Sequence, residues 1–191
     1  MLKSNLNWIQ APMPDSSPGT KLITFFVNEN EFRSRLMLVE FPANFKREQE
    51  GHYPAYEELF ILDGGLQISG HEFGKNDYVL FPPDFSRLNT SCPNGCTALV
   101  WWSTKPTWKR GISEKPNNNI ISKTNNNIDY EKYIELNKNK EFHSVFLNNL
   151  KDKSEINEEF IGLNLDTFEF VKGNTTSKLP KSRYFLKLTN F

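Results

Sequence analysis

The chain has 191 residues, of which 37% are hydrophobic and 14% aromatic, enough for one well-buried domain with an extension or for two small units sharing a core. Lys plus Arg and Asp plus Glu balance at 23 each, so neither nucleic acid nor an anionic membrane is expected as a partner. No apolar run approaches the roughly 20 residues of a membrane span, and the first residues lack the apolar stretch of a signal peptide, so a cytoplasmic protein is expected.

Taken in chain order, residues 1–21 read as an irregular arm rich in Pro, Ser and Asn and pinned by Trp8. Leu22 to Val27 forms a first apolar, β-branched and aromatic run. From Phe32 to Phe41 the residues alternate, with Leu36, Leu38 and Glu40 on one face and Arg35, Met37, Val39 and Phe41 on the other. Pro42 ends that strand. In the central stretch, Gly51 to Arg87, the apolar runs Leu59–Leu62 and Tyr78–Phe81 flank a turn expected at Asp63-Gly64-Gly65, and Pro82-Pro83 closes the segment. His71 follows Ser69-Gly70 in a second expected turn and should be solvated. Cys96 to Trp102 is apolar on both faces, as an inner strand would be. Cys92 and Cys96 make no zinc site by themselves; two reduced thiols are expected, with a local disulfide as the alternative.

Residues 105–128 are polar, with two Asn triplets, and read as a linker or surface loop. Asp129 is placed to cap a helix whose apolar positions are Tyr130, Tyr133, Ile134, Phe142, Val145, Phe146 and Leu150. His143 would lie at the surface or in an interface of that helix. Phe160–Val171 and Arg183–Leu188 read as strands that need a sheet to join. The expected organisation is therefore an arm (1–21), an all-β barrel (22–104), a linker (105–128) and a C-terminal extension of a helix plus strands (129–191) packing on the barrel or on a partner subunit.

Polar groups cluster at the ends of the central strands: Glu57-Glu58 open one, His52 and Tyr53 lie just upstream, and Arg87 lies just beyond the Pro pair. On a barrel, such groups at one rim make a pocket mouth. At these residues the chain resembles the cupin superfamily, over about residues 22–103. EELFILDGGL is similar to the core of the family's first motif, and NDYVLFPPDFSR to its second, Gly-Asp-x4-Pro-x-Gly-x2-His. The strand carrying Cys96 is similar to the anti-sigma-factor-like and dioxygenase-like branch. The resemblance implies a double-stranded β-helix, or jelly-roll barrel, that pairs as a homodimer.

Carried over position by position, Glu57 matches the family's metal-binding Glu, and His52 or Tyr53 falls at a histidine position, depending on the register. Asn76 stands at the first Gly of the second motif, Asp84 at its second Gly, and Arg87 at its His. A cupin iron, manganese or zinc centre uses three imidazoles and usually a carboxylate. No register here yields two histidines, so no competent metal centre is expected; if an ion were held, His52, Glu57 and Glu50 would be its ligands. The expected function is binding of a small anionic molecule in the barrel, with Arg87 as its forked donor and Glu57, His52 and Tyr53 beside it. Three alternatives stand. One is a metal-independent isomerase or lyase using Glu57, His52 or Tyr53. Another is a dioxygenase-like enzyme whose missing ligands come from His71 or His143. The third is a structural or interaction module whose barrel is plugged by an Arg87–Glu57 pair.

Overall fold

Period-two alternation governs nearly all of the chain, and the computed structural model is accordingly built of strands. It describes residues 6–29, 33–124, 132–138, 143–148 and 156–188. Two compact units result, Leu6–Asn125 and Asn126–Phe191 with Met1–Asn5. No helix among the described residues is long and apolar enough to cross a membrane.

The first unit contains β1 (Ile9–Gln10), β2 (Lys21–Val27), β3 (Arg35–Phe41), β4 (Phe45–Arg47), β5 (Gly51–His52), β6 (Glu57–Ile68), β7 (His71–Gly74), β8 (Tyr78–Phe81), β9 (Thr90–Cys92), β10 (Cys96–Trp102), β11 (Lys109–Arg110) and β12 (Ile121–Lys123). Its strands pair antiparallel. One layer runs β1-β2-β3-β10-β6-β8-β12, while β4 pairs β9 and the far half of β6 pairs β7 and β9. Met37, Val39 and Phe41 of β3, Val100 and Trp102 of β10, Ile61 of β6 and Phe81 of β8 meet Phe45, Leu66, Phe73 and Cys92 from the other layer. Burying each such side chain contributes about 1.5–3 kcal/mol, which is what curls the two layers into a jelly-roll barrel. β10 is buried along its whole length, as its apolar faces require. Both cysteines are free thiols and buried.

The expected turn at Asp63-Gly64-Gly65 is not a turn. β6 runs through it, with Gly64 opposite Cys96 and Gly65 opposite Gly74. These glycines instead let one strand change layers. Gly64 has φ +74°, and a Cβ there would lie 2.1 Å from the Gly95 carbonyl oxygen. A side chain at that crossing would force two backbones apart. The reversal comes later, at Ser69-Gly70, where both residues have positive φ.

The polar residues after Ser103 supply β11, which pairs β5, and β12, which pairs β8. The second unit is one sheet, ordered β13-β14-β17-β15-β16, where β13 is Lys132–Lys138, β14 His143–Asn148, β15 Phe160–Asn164, β16 Phe170–Gly173 and β17 Arg183–Leu188. The helix expected after Asp129 is therefore overturned across the described residues. Tyr133 and Ile134 sit opposite Leu147 and Phe146 in an antiparallel pair. All six residues of β14 are buried. A helix buries one stripe, whereas a strand held between two others can bury both faces. Asp129, Tyr130, Phe142 and Leu150 lie outside the described residues. The segment read as one strand from Phe160 to Val171 is a hairpin of β15 and β16.

Candidate functional site

Adjacent strand residues face opposite ways, so Glu57 and Glu58 do not share a site. Glu58 accepts a hydrogen bond from the Tyr78 hydroxyl at 2.8 Å, and burial together with the Glu58 charge pushes that phenol well above its ordinary pKa. Glu57 faces the barrel interior and accepts a hydrogen bond from Nη2 of Arg87; the two residues form a buried ion pair. Burial pushes the Glu57 carboxyl up, opposed first by the Arg87 charge and hydrogen bond and then by the charge of Arg47.

Backbone pairing positions both partners. Glu57 lies opposite Phe81 on β8. Arg87 is bridged to Gly51: its N–H donates to the Gly51 carbonyl at 2.8 Å, and its own carbonyl accepts from the Gly51 N–H at 3.3 Å. The Arg87 guanidinium carbon lies 4.7 Å from the ring centre of Phe81 and 5.0 Å from that of Tyr53, so aromatic faces line its sides.

In front of the pair is a cavity of about 190 Å³. Glu57, Tyr53, Trp102, Trp108, Met37 and Val100 form its main walls, and arm residues Ala11 to Pro14 cover one side. The arm is tied down at two points. Ser17 donates its N–H to the Lys46 carbonyl at 2.8 Å, and its Oγ accepts from the Lys46 N–H at 2.8 Å. Asp15 accepts from Trp108 Nε1 and from Arg110 Nε, each at 2.9 Å. Those bonds hold the Asp15 carboxyl below its ordinary range.

Sequence reasoning missed Arg47. It sits on β4 two residues after Phe45, is 2% exposed, and shares the inward face of that strand. Its guanidinium carbon stands 4.2 Å from the Trp108 ring centre and 5.9 Å from that of Tyr53. Its Nε and Nη2 are buried without hydrogen-bond partners, as is Nε of Arg87. The signal was present in the alternation: after Pro42, Phe45-Lys46-Arg47 places Arg47 on the same side as a core phenylalanine. Trp108, in a stretch read as a surface linker, was missed as a wall of the cavity for want of a neighbouring apolar pattern.

The remaining candidates are placed elsewhere. His52 does not line the cavity: its Nδ1 is 2.9 Å from the Gly111 carbonyl oxygen and its Nε2 3.6 Å from Asp84 Oδ1. Glu50 is half-buried, and its carbonyl accepts from the Gly111 N–H at 2.9 Å. His71 is exposed beside the rings of Phe73 and Phe85. His143 belongs to the second unit, where Nε2 is 3.3 Å from Glu135 and Nδ1 3.8 Å from Glu158. The fold thus brings Glu57, Arg87 and Tyr53 together and leaves His52, Glu50, His71 and His143 with other partners.

These residues do not fit a cupin metal. No group of three or more His, Cys, Asp or Glu among the described residues is arranged to hold an ion. The one matched carboxylate is bonded to a permanent cation, which would repel a dication at short range. The scaffold of the second motif is nonetheless kept. Asn76 and Asp84, at the two Gly positions, have φ of 72° and 63°. Asn and Asp are the side chains that tolerate this left-handed backbone most readily after Gly.

No family model matches the sequence, and no curated protein matches it. Solved structures do. The chain is similar to a candidate dioxygenase from Nostoc punctiforme, with 12% identity and a TM-score of 0.60 over 96% of this chain and 74% of that one. It is similar to protein Ylba from E. coli, with 11% identity and a TM-score of 0.57 over 98% and 81% of the two chains. A candidate glyoxylate-induced protein from Pseudomonas aeruginosa matches at 12% identity and a TM-score of 0.51, over 95% and 84%. With the strand order of the barrel and the two left-handed motif positions, these likenesses show the fold: the chain is built as a cupin-type jelly roll.

Proposed function

We propose that the barrel binds a small molecule bearing an anionic group, in a site without a competent metal centre. The observation that carries this reading is the cavity itself: Glu57, bonded to Arg87, opens onto about 190 Å³ of largely apolar space. A plugged structural barrel would have the pair and no such space beside it. The charges point to an anion. Arg47 and Arg87 are both buried and both act on Glu57, the one charged residue in the cavity lining, while the charge of Arg47 acts also on Asp15. Burying a cation is costly unless an anion accompanies it. Tyr53, Trp102 and Trp108 offer aromatic walls for the apolar body of the ligand.

Two measurements test this. Elemental analysis of untagged protein should find far less than one equivalent of iron, manganese or zinc; close to one equivalent, lost in His52→Ala, contradicts the reading. A thermal-shift panel of small organic acids should stabilise the wild type, and Val100→Phe, which fills the cavity from its wall, should lose that shift. Acids that stabilise both proteins equally are bound elsewhere, and the reading fails.

A further inference from the structure

The reading above leaves open how a molecule reaches the cavity. Resting on that reading only for the use of the cavity, we infer that residues 12–16 of the arm are a latched strap over its mouth. Asp15, held by Trp108 and Arg110, is the latch that admits and retains the ligand.

The wall of the cavity leaves one way in. Leu22, Met37, Val100 and Glu57 lie on β2, β3, β10 and β6, which are consecutive in one hydrogen-bonded layer, so nothing passes between them without breaking a ladder. Tyr53 closes a corner, its ring 4.7 Å from that of Trp102 and 5.1 Å from that of Trp108. What remains is the seam between the arm and the segment 106–108, each of which supplies lining residues. Asp15 stitches that seam. Its Oδ2 accepts from Trp108 Nε1 and from Arg110 Nε, and its Oδ1 accepts from Arg110 Nη2.

The two sides of the seam are held unequally. Beyond Trp108 the chain is fixed to the barrel: Lys109 and Arg110 pair with His52 and Gly51, and the Gly111 N–H donates to the Glu50 carbonyl at 2.9 Å. Among the described residues, 12–16 pair with no strand. The arm is tied at its base, where the Ala11 N–H donates to the Thr20 carbonyl at 2.9 Å, and at Ser17, which exchanges two bonds with Lys46. Between these ties Pro12 and Pro14 are exposed, while Met13 packs against the barrel core. So little burial marks a segment that opens locally. Pro12 and Pro14 fix their own φ, so the span swings as a stiff strap between its ties. Asp15 itself is held at φ 57°, a left-handed backbone that a side chain disfavours, and release recovers that cost. The latch also yields readily: the Arg110 side chain is 73% exposed, so water and salt compete for its carboxylate.

The test needs no ligand, so its outcome is separate from whether an acid binds. Val100→Cys, with Met37→Cys as a second reporter on the neighbouring strand, places a thiol on the cavity wall of the full-length protein, and melting curves show that each variant folds. The rate at which methyl methanethiosulfonate modifies that thiol is read by peptide mass spectrometry and divided by the rate for a free cysteine peptide. This ratio reports how often the strap is open, and it should be far below one with the latch intact. Asp15→Ala should raise it about 10-fold, the equivalent of one lost charge-assisted contact, and Asp15→Asn, which keeps an acceptor for Trp108, should fall between. Salt at about 1 M should raise the ratio in the reporter protein and leave it unchanged in the Asp15→Ala background. The buried thiols of Cys92 and Cys96 are internal controls and should react only on global unfolding. A reporter that reacts like the free peptide with the latch intact, or at one rate with and without Asp15, overturns the inference while the anion-binding barrel stands. So does a reporter whose rate rises with urea as steeply as that of Cys92, because entry is then by unfolding of the barrel.

Discussion

Removing Arg87 alone would leave the Glu57 carboxyl 6% exposed and without its hydrogen-bonded cation. Arg87→Ala should therefore cost about 3–5 kcal/mol in urea unfolding, the range for breaking one side of a buried pair. Replacing both partners, as Glu57→Leu with Arg87→Met, should cost less than the sum of the single changes, because neither member of the pair is then left without the other; what remains is the loss of Glu57 to the charge of Arg47. Additive costs in that cycle would show that the pair is not coupled. Arg87 was legible in the sequence because it occupies a motif position that ordinarily holds another residue type. Arg47 was not, because no motif surrounds it and Lys46-Arg47 reads as a solvated pair. Only the pairing of β4 with β9, more than forty residues away, places it inside.

At the scale of elements, β6 and the N-terminal arm define the site. The turn expected at Asp63-Gly64-Gly65 was a sound reading of composition, since glycine pairs mark reversals more often than crossings between layers. The distinction is testable. Gly64→Ala, at φ +74° with a carbonyl oxygen 2.1 Å from the new Cβ, should lower stability by at least about 1–2 kcal/mol. Gly65→Ala should change it little, because its Cβ would meet only the Phe73 carbonyl oxygen, at 3.5 Å. Equal losses would mean that β6 does not cross as described. The helix expected after Asp129 failed for a related reason: β14 is buried on both faces, so its apolar residues need not alternate, and a spacing of three and four over so short a segment does not separate helix from strand.

The arm adds a pH dependence. Asp15 is held below its ordinary value of 3.8 by Arg110 and Trp108. A carboxyl with a depressed pKa in the folded state stabilises above its unfolded pKa, and that contribution is lost as pH falls through the folded one. The contact between Asp15 and Trp108 should thus persist near neutrality and release in acid below the ordinary aspartate range. The Trp108 indole N–H, followed by NMR, should then exchange faster, and in Asp15→Asn the acid-dependent part of that change should be much reduced. An exchange rate that varies with acid equally in both proteins would show that Asp15 is not the latch.

For the whole molecule, the likeness to the Nostoc and E. coli structures covers 96% and 98% of this chain, so both all-β units take part in the matched fold. The N-terminal barrel was legible because its alternation, its proline stops and two recognisable motifs agree. The C-terminal unit offers alternation without a motif, and its sheet order is set by long-range pairing such as β14 with β17. A net charge of zero says nothing of local arrangement: Glu57 shares its buried surroundings with Arg87 and Arg47, which the composition does not reveal.

The proposed binding of an anion in the barrel can be tested directly by soaking crystals of the full-length protein with 3-iodobenzoate and mapping the iodine by anomalous scattering. An iodine peak between Met37, Val100 and Trp102, with the carboxylate inside the barrel, is the predicted result. Iodine bound only outside the barrel, or a ring in the cavity with its carboxylate turned toward solvent, would contradict the account.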